Sequence, residues 1–180
     1  EGDSHEVAFP EDVFTVSFGT NAEADQSHVR LTYQSMITPA TTYDYEVDTR
    51  TLTLRKQQEI PSGYDKSAYA TTRLMATARD GAEVPVSIVY PKDFPRDGTG
   101  RLHLYGYGAY GLAMRPSFSA ARLSLMDRGF AYAIAHIRGG DEMGYHWYED
   151  GKLEKRTNTF NDFVDSAQFL ISEGWARAGN

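Results

Sequence analysis

The sequence predicts a chain of two characters, an all-β opening of short antiparallel strands followed by an α/β layer. Residues 1–70 hold runs rich in Val, Thr, Tyr and Phe separated by turns, whereas residues 71–180 alternate apolar strands with helical patterns. A third observation lies inside the α/β part. Residues 101–111 read Arg-Leu-His-Leu-Tyr-Gly-Tyr-Gly-Ala-Tyr-Gly, a buried strand that breaks into a glycine-punctuated aromatic bend.

In the opening part, strands are expected over 13–18, 29–35, 43–48 and 51–56. The third alternates strictly, with Tyr43, Tyr45 and Val47 on one face and Asp44, Glu46 and Asp48 on the other, and Asp48-Thr49-Arg50-Thr51 suits a hairpin link. Such strands make one antiparallel sheet the size of a propeller blade. A lone blade cannot cover its own faces, so neighbouring blades outside the sequence are expected. Residues 60–66, with Pro61, Ser62 and Gly63, mark the boundary and give domains 1–70 and 71–180.

Past the boundary, strands over 73–79 and 84–90 flank Asp80-Gly81, a hairpin signal. The Pro/Gly/Asp-rich stretch 91–100 leads to the central strand, then to a helix over 117–128 stopped by Gly129. Residues 130–137 are nearly continuous in apolar character, as for a strand covered on both faces. A helix over 158–173 follows, with Phe160, Phe163, Val164, Ala167, Leu170 and Ile171 as its apolar stripe, Thr159 with Asp162 as a capping box, and Gly174 as its stop. A further strand is expected after Asn180.

Composition narrows the function classes. Apolar residues make up 41% and charged residues 24%, and no run reaches the roughly 18 apolar residues of a membrane span, so a soluble chain without a membrane partner is expected. The absence of cysteine excludes disulfides and thiolate metal sites. Residues 1–70 carry 5 Lys and Arg against 12 Asp and Glu, while residues 71–180 balance at 13 against 13, which argues against nucleic acid. His5, His28, His103, His136 and His146 are scattered without ligand spacing, so neither a metal nor a cofactor is expected.

The bend carries the chemistry. A turn needing only flexibility would use Ser, Asn or Asp, but Tyr107 and Tyr110 bring large rings whose hydroxyls can donate, as pocket wall and donor. Gly106, Gly108 and Gly111 also spell the dinucleotide fingerprint, against which stand Pro116, which delays any helix, and Arg138, where a ribose-binding acid would be. No Gly-x-Ser-x-Gly elbow occurs. Arg138, at the carboxyl end of a buried strand, either anchors substrate or braces the loop through a carboxylate. His103 and His136 read as core histidines and His146 as a structural residue in a surface loop. The adjacent acids Asp141/Glu142 and Glu149/Asp150 are expected to point apart into water.

Taken in order, Asp80-Gly81 with Val84-Pro85-Val86-Ser87, the Tyr105–Gly111 bend, Arg122-Leu123, Arg138-Gly139-Gly140, Trp147-Tyr148-Glu149-Asp150-Gly151-Lys152 and Asn158-Thr159-Phe160-Asn161-Asp162 closely resemble the prolyl oligopeptidase family of serine peptidases, within it the oligopeptidase B branch. The resemblance is firm over 70–175 and looser over 1–70. It implies part of an α/β-hydrolase domain preceded by the last part of a seven-bladed β-propeller. It also implies hydrolysis of short peptides, after Lys or Arg, by a Ser-Asp-His triad lying beyond Asn180. The remainder of the propeller and hydrolase domains would be the chain's partners, with the cytoplasm as its place and the periplasm left open.

Carried over by position, Tyr107 would help form the oxyanion hole and Tyr110 would wall the pocket for the residue before the cut, with Arg138 as a further substrate-binding candidate. The sequence departs from the family at Arg115, Pro116 and Ser117, where acidic residues often receive a second basic side chain, and at Asp141, where a third glycine is usual. A dibasic preference is therefore not carried over. By itself the chain is expected to be inactive, and a noncatalytic peptide- or protein-binding module is the alternative reading.

Overall fold

β-Branched and aromatic residues place the opening part in an antiparallel meander. In the computed structural model, which describes residues 4–179, β1 (Phe14–Phe18), β2 (His28–Ser35), β3 (Thr41–Glu46) and β4 (Thr51–Gln57) form one sheet in the order β1-β2-β3-β4. The β3–β4 turn lies over 47–50, with Arg50 in the left-handed region at φ 56°. The strict alternation of β3 does not separate core from solvent as expected. Asp44 is buried, because Arg30 Nε at 2.8 Å and Arg55 Nε at 2.7 Å close over its carboxylate and hold its pKa below the usual range.

The second sheet begins with β5 (Tyr69–Thr77), just after a 3-10 turn over Lys66–Ala68. It adds β6 (Glu83–Pro91), β7 (Arg101–Tyr105) and β8 (Phe130–Ala135) in the order β5-β6-β8-β7. The β5–β6 hairpin turns at Asp80-Gly81, where Gly81 has φ 90° and its N–H donates to the Ala78 carbonyl at 2.8 Å. β7 and β8 run parallel, joined by the crossover that carries α1 (Ala120–Met126), shorter at both ends than the sequence pattern implied. After β8 come α2 (Tyr145–Glu149) and α3 (Arg156–Ser172). No helix among the described residues is long and apolar enough to cross a membrane.

Each face of the second sheet builds its own core. On one, Val86, Ile88, Ala131, Ala133 and Ala135 pack with Leu170 of α3 and the fully buried Trp175. On the other, Val89, Tyr132 and Ile134 meet Leu123 and Met126 of α1 together with Val13, Met36 and Ile37 from the opening part. That second core joins the two sheets by burial of apolar surface. Tyr64 reinforces the join by donating its hydroxyl to the Ile37 carbonyl at 2.7 Å.

α3 departs most from its expected pattern. It begins at Arg156, ahead of the expected start, and Thr159 with Asp162 is not a capping box but part of its buried face, along with Asp165, Ser166 and Leu170. Phe160, Val164 and Ile171 of the expected apolar stripe are instead exposed. The helix turns a polar face inward because Thr159, Asp162 and Asp165 each have a defined partner outside the helix, whereas the buried Ser166 hydroxyl has none. Asp165, for one, accepts from the Arg79 backbone N–H at 2.8 Å and from its Nη2 at 2.7 Å.

Arg79 holds the Asp165 carboxyl below its ordinary pKa. Since the folded-state pKa is depressed, the contact stabilises above about pH 4 and is lost as pH falls through the depressed value. Thermal melts of the intact protein should therefore show a wild-type advantage over Asp165→Asn that is constant near neutrality and shrinks on acidification.

Candidate functional site

The site is built where three glycine backbones touch. Gly108, at φ 57°, lies under Ile137 and Thr159, and a Cβ there would fall 2.5 Å from Ile137 Cγ1 and 2.6 Å from Thr159 Cγ2. A Cβ on Gly139, at φ 100°, would sit 2.2 Å from the Gly108 carbonyl oxygen, and one on Gly151 would sit 2.2 Å from the Gly139 nitrogen. Only glycine fits all three positions. Hydrogen bonds lock the stack. Gly111 N–H donates to the Gly139 carbonyl at 2.9 Å, Gly139 N–H to the Trp147 carbonyl at 2.9 Å, and Arg156 Nη1 to the Gly108 carbonyl.

The bend so fixed leaves β7 at its carboxyl end and presents the two expected tyrosines. Tyr107 is 38% exposed and Tyr110 81% exposed, the latter at φ 56°, a rare conformation for a bulky residue. Tyr110 also lines an open cleft of about 390 Å³ with Tyr148, Lys152, Leu153 and Arg156. Lys152 Nζ lies 4.6 Å from the Tyr148 ring centroid, so the cleft wall is aromatic and cationic. The dinucleotide reading loses its footing here. The space beside Gly106 and Gly108 is taken by Phe163, Ile137 and Thr159, and α1 begins only at Ala120.

Arg138 braces. It is 6% exposed, and its backbone N–H and Nε donate to Asp162 Oδ2 at 2.9 Å each, Nη2 to Asp162 Oδ1 at 2.5 Å, and Nη1 to Asp80 Oδ2 at 2.6 Å. These bonds raise the Arg138 pKa, Asp162 contributing most, and lower that of Asp80. Of the two roles weighed for Arg138, these contacts describe bracing through carboxylates. Its carbonyl accepts from Thr159 Oγ1 at 2.6 Å, tying the turn to α3.

A second constellation escaped the sequence reading. Ser87 Oγ lies 2.7 Å from His136 Nε2, and His136 Nδ1 lies 3.6 Å from Glu142 Oε1. Serine, histidine and acid in sequence look like a hydrolytic triad, but Ser87 is 0% exposed and accepts from Arg73 Nε and Nη2 at 3.3 and 3.2 Å. A buried hydroxyl pinned by a guanidinium cannot reach a carbonyl carbon. Glu142 turns inward rather than to water, accepting from the Met114 N–H at 2.8 Å, whereas Asp141 beside it is exposed as expected. His103 is exposed, stacked on Tyr132 at 5.1 Å, and so is not the core histidine expected, and His146 lies in α2 rather than in a loop.

A blade-like meander, a mixed sheet with helices on both faces and a glycine-stacked tyrosine bend define the class, and the chain belongs to the prolyl oligopeptidase family. Residues 116–180 match the model described as Prolyl oligopeptidase family, and residues 2–58 match Prolyl oligopeptidase, N-terminal beta-propeller domain. The first sheet is thus propeller and the second belongs to the α/β-hydrolase domain.

Among particular relatives, the chain is 47% identical over 98% of its length to Dipeptidyl aminopeptidase BI of Pseudoxanthomonas mexicana, and 35% identical over 97% to Protease 2 of Moraxella lacunata. It spans about a quarter of the length of these curated relatives, 24% and 25%. Among solved structures, Oligopeptidase B from Trypanosoma brucei with covalently bound antipain superposes with a TM-score of 0.86 at 40% identity, covering 94% of this chain and 24% of that one. Prolyl oligopeptidase B from Galerina marginata, bound to a 35mer hydrolysis and macrocyclization substrate, gives 0.82 at 31% identity, covering 95% and 24%.

Asp162→Ala would leave the buried Arg138 guanidinium without its main counter-charge, a change that costs about 3–5 kcal/mol where such pairs are buried. Chemical denaturation of the intact protein should show a loss of that size.

Proposed function

We propose that this polypeptide is part of a serine-type oligopeptidase that hydrolyses short peptides. The Tyr107 phenol would donate to the oxyanion of the tetrahedral intermediate, and Tyr110 would wall the pocket for the residue before the cut. The observation that carries this reading is the presentation of Tyr107. Its ring stands open at the carboxyl end of β7 on a bend whose backbone is held by close packing on both sides. A donor fixed before the reaction needs no reorganisation as charge develops, which makes it worth more than the same hydroxyl on a mobile loop.

The nucleophile, base and orienting acid are proposed to lie in sequence beyond residue 180, since Ser87 is buried and mid-strand. In that scheme a serine Oγ attacks the scissile carbonyl while histidine takes its proton. Tyr107 steadies the resulting oxyanion, the amine leaves with the proton from histidine, and water then releases the acyl group. Support for partners within the intact protein comes from two surfaces. Phe160, Val164 and Ile171 of α3 are exposed, and among the described residues β7 pairs only with β8, leaving one edge open.

Cleavage after Lys or Arg is proposed from the likeness to oligopeptidase B. A second reading, release of dipeptides from the amino terminus, is favoured by the 47% identical relative that bears the name dipeptidyl aminopeptidase. Matched peptides with free and blocked amino termini separate them, because only the second requires a free amine. The noncatalytic alternative predicts no turnover of either.

Tyr107→Phe in the intact protein should lower kcat by about 10²–10³ with little change in KM, as for loss of one oxyanion donor; unchanged turnover would remove this role. A serine-reactive phosphonate should label one serine of the intact protein outside residues 1–180, read by peptide mass mapping. Labelling of Ser87 would contradict the assignment.

A further inference from the structure

Beneath the loop that follows the tyrosine bend lies a cleft of about 170 Å³ whose lining includes Arg73, Met114, Arg115, His136, Glu142 and Met143. It occupies the face of the second sheet that also carries Tyr132 and Ile134, the face turned toward the propeller sheet. Arg73 and Ser87 stand directly opposite each other on β5 and β6, and His136 follows β8 on the same side. We propose that this cleft is a subsite for an acidic side chain of the peptide substrate, its carboxylate held between the guanidiniums of Arg73 and Arg115. The assignment rests on the peptidase reading above and adds to it a substrate preference.

Charge comes first. Among the described residues no carboxylate pairs with Arg73 or Arg115, in contrast to Arg79 and Arg138 close by. Arg73 is exposed as a whole but part-buried where it meets Ser87, and that desolvation lowers its pKa. A guanidinium in that position gains from an incoming carboxylate both a counter-ion and a fork-shaped acceptor.

Proton placement adds a third donor. Arg73 donates to Ser87 Oγ from two nitrogens, so the Ser87 hydroxyl directs its own proton to His136 Nε2, and the imidazole proton resides on Nδ1. That Nδ1 is buried and has no hydrogen-bond partner, and it belongs to a residue lining the cleft. Glu142 is the acceptor on the floor. Its Oε1 is engaged by the Met114 N–H and lies 3.6 Å from His136 Nδ1, while its Oε2 is buried without a partner, a place for a bridging water. Two guanidiniums against this one carboxylate leave the cleft with an excess of positive charge. The aliphatic stem of an acidic side chain would rest against Met114 and Met143.

The test uses the intact enzyme and pairs of cleavable peptides that differ only by Glu or Gln, placed in turn at each position flanking the cut. At one position kcat/KM for Glu should exceed that for Gln by about tenfold, the scale of one charge-assisted contact. Arg115→Glu should invert that ratio, and Arg73→Gln should lower it toward one, which serves if the first variant fails to fold. Ratios near one at every position, or a Glu preference that survives these substitutions, overturn the subsite while peptide hydrolysis stands. Failure to cleave any peptide of the series removes the peptidase reading, and the subsite with it.

Discussion

The contact on which the site depends is backbone against backbone at Gly108, Gly139 and Gly151. Three loops, after β7, after β8 and after α2, converge there at distances that leave no room for a Cβ. Burying so much main chain demands that its polar groups find partners, and they do. The Gly108 carbonyl is taken by Arg156, that of Gly139 by Gly111, and that of Arg138 by Thr159. What results is a densely connected platform, from which the phenol of Tyr107 projects. Glycine, chosen elsewhere for freedom, acts at these positions through close approach.

The same platform explains the inward polar face of α3. Thr159, Asp162 and Asp165 are buried because each satisfies a group that the converging loops or the β5–β6 turn cannot satisfy alone. Arg138 is the centre of that arrangement, reaching from the end of β8 to Asp162 on the helix and Asp80 in the hairpin. A buried ion pair of this kind is weak evidence for stability as such, since desolvation offsets much of the attraction. Its contribution is orientation. It ties the end of β8 to the helix and to the β5–β6 hairpin at once.

Much of the fold was legible in the sequence, and the reasons are local. The four-strand meander, the Asp80-Gly81 hairpin and the strands of the second sheet follow from β-rich runs bounded by turn residues. The misreadings share one physical origin. Periodicity assumes that apolar residues face inward, and on α3 that assumption placed Phe160, Val164 and Ile171 in a core from which they are absent. Asp44 on β3 was misplaced likewise, because Arg30 of β2 and Arg55 of β4 close over it from the flanking strands. At the site, the glycines of the bend announced themselves by spacing, whereas Gly151 and Arg156 did not. Their roles arise only when loops far apart in the chain meet, and no window of neighbouring residues contains that information. The Ser87–His136–Glu142 constellation was hidden for the same reason.

The segment between the bend and α1 is held from both sides. Toward the hydrolase loops, Glu142 accepts the Met114 N–H; toward the propeller sheet, Gln34 of β2 accepts the Phe118 N–H at 3.3 Å, and Phe118 packs edge-on against Tyr64 at 5.3 Å. The tyrosine bend and the loop that follows it are therefore positioned by different parts of the molecule, the first by glycine packing within the α/β layer and the second by contacts that cross to the other sheet. The 112–118 segment reaches the bend through Gly111, whose N–H is tied to the Gly139 carbonyl. Separation of this kind lets the 112–118 segment answer to the neighbouring sheet while the bend that carries Tyr107 is held by its own glycine packing.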